Sequence, residues 1–225
     1  MYILGIDTAT KICSVALTQD DKVLAECTQD AGTTHSRDLL PTIDAILKNN
    51  GVPKKEIDLV AVSMGPGSFT GLRIGLATAE AFAYAQKKYL HGVDTLAALA
   101  YNNRQENILL SPVIDAQKGN FYQALYKWEE GKFICVENLA IVKKDEVLQR
   151  IGDKKCLLMG ECGKFTDLPK NIQFAPQENI MPRAVGVCAL ALRDFNLETD
   201  KKIFGLEPYY IRKSEAEELW EQKHL

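Results

Sequence analysis

The spacing of apolar positions changes period several times along the chain, and each change marks an element. Tyr2 to Asp7 is an apolar run, and residues 13–18 and 22–27 alternate or run apolar between polar turns, which predicts a three-stranded meander. From His35 the spacing becomes helical. Leu39, Leu40, Ile43, Ile46 and Leu47 share a face, and Asn49, Asn50 and Gly51 supply a left-handed stop. Pro41 inside that stretch is expected to bend or restart the helix. Leu59 to Met64 is rich in Val and Ala and too short for a helix, so it reads as a strand covered on both faces. After Gly65, Pro66 and Gly67 a helix of small residues begins, capped by the hydroxyl of Ser68 or Thr70. At 100° per residue, Arg73, Glu80 and Tyr84 form one polar ridge. Gly71, Leu72, Gly75, Leu76, Ala79, Phe82 and Ala83 lie on one side of it and Ile74, Thr78, Ala81 and Ala85 on the other, so the helix is expected to be covered on two sides. A strand from Tyr89 to Val93 and a helix from Thr95 to Tyr101 follow.

Residues 102–107 are a polar stretch long enough to join two domains, and the pattern then begins again. Ile108 to Asp115 ends in Ile-Asp as Gly5 to Asp7 does. Residues 121–128 and 132–136 complete a second meander, 144–151 a helix, 156–160 a buried strand and 184–194 another helix. Two β-β-β-α-β-α units, each opening on a strand that ends in Asp, indicate an internal duplication. The predicted organisation is an N-terminal lobe at 1–101, a linker at 102–107 and a C-terminal lobe at 108–225. The last lobe closes with a terminal helix capped by Ser214, whose Leu219 and Trp220 either dock it on the lobe or serve a partner.

Composition bounds the function. With 46% hydrophobic and 25% charged residues among 225, the chain is that of an ordinary globular protein. A formal charge of −3 gives no overall pull toward nucleic acid, so any contact with RNA is expected to come through a partner. No apolar run reaches membrane-spanning length and the first residues carry no basic leader, which predicts a cytoplasmic protein without membrane contact. Six scattered cysteines without a C-x-x-C pair predict reduced thiols and no zinc site.

The turn at 65–71 invites a phosphate, since the oriented amides of a helix N-terminus favour an anion. The known patterns fail there. Gly65 and Gly71 are six positions apart where a Walker loop needs five, Leu72 stands in place of its Lys, and the third glycine of the dinucleotide pattern is missing. Each glycine inside a helix costs roughly 0.8–1 kcal/mol relative to alanine. Gly71 and Gly75, one turn apart, therefore call for close backbone approach, either to the chain's own sheet or to another subunit's helix.

Two duplicated α/β lobes with Asp7 and Asp115 closing their first strands resemble the actin, Hsp70 and sugar-kinase architecture. That resemblance implies a nucleotide cleft near Asp7, Thr8, Thr10 and Asp115. The turn glycine of the architecture is Ala9 here, and only Gly160 and Gly163 stand where a glycine pair usually meets adenine, so a vestigial cleft is expected. The motifs Gly5-Ile6-Asp7-Thr8-Ala9, His35-Ser36 before Leu40-Pro41, the run from Gly65 to Gly75, Asp115-Ala116 and Pro208 to Arg212 resemble the TsaB (YeaZ) family over nearly the whole chain.

The resemblance implies a non-catalytic scaffold in threonylcarbamoyl transfer to adenosine-37 of tRNAs that read ANN codons. Its partners would be a catalytic TsaD-like paralogue and a TsaE-like ATPase, with tRNA met only through the complex. The isolated chain is expected to form a homodimer. No cofactor of its own is implied, although ATP or ADP is possible at a complex interface. The paralogue's two metal-binding histidines correspond to Thr95 and Leu99, and Leu cannot bind a metal. The older glycoprotease-like label of the family finds no nucleophile, acid and base at a recognisable spacing. For the interface, Leu39 and Ile43 of the first helix and Gly71, Leu72, Arg73, Gly75, Leu76 and Ala79 of the second are the expected contacts. An active ATP-dependent kinase or phosphohydrolase of the same fold is the alternative, favoured by Asp7 and Asp115.

Overall fold

The computed structural model of the chain describes residues 1–32, 35–198 and 204–211. The first unit comprises β1 (Tyr2–Asp7), β2 (Ile12–Gln19), β3 (Lys22–Asp30), α1 (His35–Asn49), β4 (Leu59–Gly65), α2 (Phe69–Gln86), β5 (Tyr89–Asp94) and α3 (Thr95–Tyr101). The second comprises β6 (Leu109–Asp115), β7 (Asn120–Glu129), β8 (Lys132–Lys143), α4 (Lys144–Ile151), β9 (Cys156–Gly160), β10 (Ile172–Phe174) and α5 (Ala184–Asp194).

The two sheets have orders β3-β2-β1-β4-β5 and β8-β7-β6-β9-β10, so corresponding strands occupy corresponding places. In each sheet an antiparallel meander is extended by parallel strands, β1 pairing with β4 and β6 with β9. The duplication expected from the pattern is present in the topology, which gives the α/β class with two related halves. Among the described strands β10 lacked a forecast: three residues are too short to show a period, and pairing parallel to β9 defines it.

The helices form layers around these sheets. α1 and α2 cover the outer face of the first sheet in one core, with Leu39, Ile43, Leu76 and Ala79 packed against Leu4, Val60 and Val62. Val147 and Ile151 of α4 pack on the second sheet with Val113 and Leu158. Between the sheets lie α3 and α5. Leu96 and Leu99 of α3, the last element before the polar stretch, pack on β6 and β7, whereas Val187, Cys188 and Ala191 of α5 pack on β1, β2 and β4. Each of these two helices thus contributes to a core across the junction from its own sequence neighbours. At the start of α5, Arg183 Nε donates to Glu26 Oε2 of β3 at 2.9 Å and Ala184 N donates to Ser14 Oγ of β2 at 2.9 Å.

Several expectations are corrected. α1 runs unbroken through Pro41, because the proline and Arg37, whose carbonyl loses its helical donor, both lie on the exposed side. β8 continues to Lys143 instead of ending at 136, paired to the whole of β7 through two irregularities at Gln123 to Tyr126 that absorb the polar interruption. α2 is covered on one side only, since Ala77, Ala81 and Ala85 are exposed. The helix expected from Ser214 lies outside the described residues.

Candidate functional site

A cavity of about 780 Å³ opens between the two sheets at the carboxyl ends of β1 and β6. Its walls come from the β1–β2 turn, the N-terminus of α2, the β6–β7 turn, Glu161 and the segment Tyr209 to Ile211.

The β1–β2 turn is tied into the protein on every side. Asp7 is fully buried, its Oδ2 accepting from Ser63 Oγ at 2.5 Å and its Oδ1 from Ala9 N at 3.0 Å. Burial raises its carboxyl above the ordinary value, and the Ser63 hydroxyl and the Ala9 amide oppose that shift. The Ala9 carbonyl accepts from Ser68 N at 2.6 Å, and a methyl group on Gly67 would overlap Ala9. Thr8 Oγ1 donates to the Gly71 carbonyl at 2.8 Å, and Thr10 Oγ1 accepts from Ile12 N at 3.2 Å. The amide that a phosphate would need at Ala9 is therefore spent on Asp7, and the loop leading into α2 is pressed onto the turn. Ser68, not Thr70, caps α2, its Oγ accepting from Gly71 N at 3.3 Å.

The β6–β7 turn carries the second aspartate. Asp115 Oδ2 pairs with Lys164 Nζ at 2.7 Å, its Oδ1 accepts from Gln117 N at 2.8 Å, and its own amide donates to Glu161 Oε2 at 2.7 Å. Burial raises the Glu161 carboxyl, with the Asp115 amide lowering it. Gly160 at φ +96° starts the turn that places Glu161, and a methyl group there would overlap the Val113 carbonyl. Of the four expected cleft residues, Thr10 and Asp115 line the cavity, while Asp7 and Thr8 lie beneath its wall. Glu161, Lys164 and Tyr210 were not anticipated. The Gly160-Glu161-Cys162-Gly163 run was the visible signal for the first two, whereas Tyr210 reaches the site from far along the chain.

No trio of His, Cys, Asp or Glu with metal-binding geometry occurs among the described residues. Thr95 and Leu99 are core residues, and Thr95 Oγ1 accepts from Gly65 N at 3.1 Å. His35 is buried, and His91 meets Phe195 edge-on.

The expected partner contacts are redistributed. Leu39, Ile43, Leu72, Leu76 and Ala79 are buried in the chain's own core, and Gly71 and Gly75 back onto Thr8, where added methyl groups would meet its carbonyl and hydroxyl oxygens. The close approach demanded by the two glycines is thus intramolecular. Only Arg73 of that set is exposed, with its guanidinium 3.9 Å above the Phe69 ring and its Nε donating to Tyr210 Oη at 2.9 Å. Apolar positions that do face outward include Leu40, 59% exposed, and Ala45 on α1, with Phe69, Ala77, Ala81, Tyr84 and Ala85 on α2. Alanines four residues apart form a stripe along a helix, the surface against which another helix can approach closely.

Known proteins resemble this chain along most of its length. The family model TsaD, tRNA N6-adenosine threonylcarbamoyltransferase, matches residues 27–173. The tRNA threonylcarbamoyladenosine biosynthesis protein TsaB of Bacillus subtilis is 29% identical over 98% of each chain, and that of Escherichia coli 30% identical over 96% of each. Among solved structures, YeaZ from Pseudomonas aeruginosa superposes with a TM-score of 0.79 at 24% identity, covering 93% of this chain and 99% of that one. The ethanolamine utilization protein EutJ of Carboxydothermus hydrogenoformans superposes with a TM-score of 0.53 at 12% identity, covering 84% of this chain and 89% of its own, a likeness of fold alone.

Proposed function

Since the chain belongs to the TsaB family of tRNA threonylcarbamoyladenosine biosynthesis proteins, we propose that it is the non-catalytic subunit of that pathway's acyltransferase, a scaffold for a TsaD-type catalytic paralogue. The observation that carries this reading is the state of the β1–β2 turn. Its amide at Ala9 is engaged by Asp7 and its carbonyl by Ser68, so the place where this architecture would hold a phosphate is closed by the chain itself. Thr95 and Leu99 likewise leave the paralogue's metal positions without ligands.

The outward face of α1 and α2 then supplies the docking surface. Leu40 and Ala45 beside Ala77, Ala81 and Ala85 offer small apolar positions to a pair of helices of the same ancestry, giving a four-helix contact. By the same surface the isolated chain pairs with itself. A TsaE-type ATPase joins the assembly, tRNA is met through the complex, and ATP or ADP binds at an interface between subunits and not within this chain's own cleft.

Light scattering of the chain mixed with the TsaD-type paralogue tests this. A species at the summed mass is expected, lost in Ala81→Glu with the melting temperature unchanged. Separate species for wild type in the presence of the ATPase and ATP overturn it. The kinase reading rests on the 780 Å³ cavity and Asp115. ATP turnover by the chain alone, abolished in Asp115→Asn, would establish it.

A further inference from the structure

The cavity between the sheets has two unlike walls. On the side of the second unit, Asp115 and Glu161 present carboxyl groups. On the side of the first unit the N-termini of α1 and α2 come together, the one contributing His35 and the other Ser68 to Gly71. Among the described residues no carboxylate lines that second wall, and Lys11 does. His35 is 5% exposed yet lines the cavity, and its Nδ1 has no hydrogen-bond partner among the described residues. Thr18 Oγ1 and Trp128 Nε1 are in the same condition, but neither residue lines this cavity. The neighbouring carboxylates do not serve the imidazole: Asp7 is bonded to Ser63 and Ala9, and Asp30 to Lys11 and Gly32. A buried polar atom left without a partner costs about 1–3 kcal/mol, which an acceptor arriving from the cavity would recover. At α2, Ser68 Oγ takes the Gly71 amide and the Ser68 carbonyl takes that of Leu72, so the amides of Phe69 and Thr70 are left at the cavity wall without a helical partner.

We propose that this wall binds a small organic monocarboxylate, its two oxygens accepting from His35 Nδ1 and from the amides of Phe69 and Thr70, with its apolar body lying toward Ile74, Ile114 and Tyr122. Three donors suit the two oxygens of a carboxylate. The field suits a single negative charge, since the helix N-terminus carries only about half a positive charge and Lys11 is already paired with Asp30 at 3.1 Å. A phosphate brings a further oxygen and more charge than this wall answers. At about 780 Å³ the cavity is also far larger than an inorganic ion, so the apolar residues beyond the donors have surface to offer only to a ligand with a hydrocarbon body. The site does not use the Ala9 amide. It is therefore separate from the phosphate position that the β1–β2 turn closes, and it does not depend on the scaffold reading.

The chain has three histidines, so the full-length protein labelled with nitrogen-15 in histidine gives a sparse imidazole spectrum by nuclear magnetic resonance. Benzoate and hexanoate are the probes, benzamide is the uncharged control of the same shape as benzoate, and inorganic phosphate is the competing oxyanion. His35→Ala assigns the signal. A carboxylate probe is expected to move the His35 ring resonances saturably, with the His91 signal unmoved and benzamide without effect at the same concentration. Phe69→Pro removes one donor and keeps the helix start, because Ser68 before it is extended at φ −60° and ψ 122°, as a following proline requires, and the first helical position accepts proline. It should weaken the probe by about tenfold, the loss of one hydrogen bond to a charged group, whereas Phe69→Ala, which loses the ring and keeps the amide, should stay within about twofold. Circular dichroism melts of both variants serve as the folding control. A His35 signal that neither carboxylate moves, equal weakening in Phe69→Pro and Phe69→Ala, or phosphate binding more tightly than both carboxylates overturns the proposal. None of these outcomes alters the light-scattering result with the paralogue, so the two readings stand or fall separately.

Discussion

Thr8 Oγ1 donates to the carbonyl of Gly71 at 2.8 Å, joining the first strand's turn to the first turn of α2 across 63 positions of sequence. Gly75, one helical turn further, sits against the same threonine. The pair of glycines lets α2 lie on the β1–β2 turn, and the cost of two glycines in a helix is the cost of that contact.

Gly71→Ala should therefore destabilise the monomer. The new methyl meets the Thr8 carbonyl, a backbone atom that cannot rotate away, and overpacking of this kind costs about 1–3 kcal/mol, more than the helix-propensity gain of about 1 kcal/mol. Gly75→Leu should fail more severely. Urea unfolding of the isolated chain checks both, and stability equal to wild type would remove Thr8 as the reason for the glycines.

Asp7→Asn is expected to preserve the fold and to flatten its pH dependence. Burial raises the Asp7 carboxyl in the folded state, so between its ordinary value and that raised value the folded chain holds more proton than the unfolded one. Stability contributed by this group is thus present at low pH and declines as pH rises through the window. The variant lacks that decline, which thermal melts from acid to neutral pH would reveal. A scaffold also predicts that Asp7→Asn supports threonylcarbamoyl transfer by the assembled complex at the wild-type rate, whereas a catalytic Asp7 would not.

The Glu26 and Arg183 pair fixes the start of α5 to the first sheet. Glu26 also accepts from Val185 N at 3.4 Å, and Ser14 Oγ accepts from Ala184 N. Glu26→Ala should cost about 2–4 kcal/mol, because it strands a partly buried guanidinium as well as losing a hydrogen bond at the helix N-terminus. The exposed pair of Lys11 with Asp30 is screened by solvent and should contribute far less. Double-mutant cycles for the two pairs, by chemical denaturation, would give coupling in this order.

Thiol reactivity should divide the cysteines. Burial pushes Cys156, Cys162 and Cys188 up to about 12, and each is enclosed in a core. Cys135 is exposed on β8. A disulfide reagent at pH 8 should label Cys135 in the native protein and release the three core thiols only on unfolding, with mass spectrometry of the labelled peptides as the measure.

The fold was legible because periodicity and punctuation are local. Alternation in the first 30 residues, the helical spacing from His35 and the turn residues between them are properties of neighbours in sequence, and the repetition after residue 107 needed only comparison of one half with the other. The TsaB family motifs were equally local, being short runs around turns where few residue types fit. Period alone also required that Gly71 and Gly75 approach something closely.

What they approach was decided by tertiary structure. A helical period fixes which side chains share a face, but not which face meets which neighbour. Thr8 claimed the glycine face, so the free surface of α2 is the arc bearing Arg73, Ala77 and Ala81. α3 and α5 pack across the junction between the halves because the apolar inner faces of both sheets had to be covered, a demand that no single segment expresses. Glu161 and Lys164 join Asp115 from nearly 50 positions away through the pairing of β6 with β9. Sequence determined the pieces and their lineage. Long-range packing, which satisfies buried polar groups and apolar faces together, determined which residues are spent inside the fold and which remain outward for a partner.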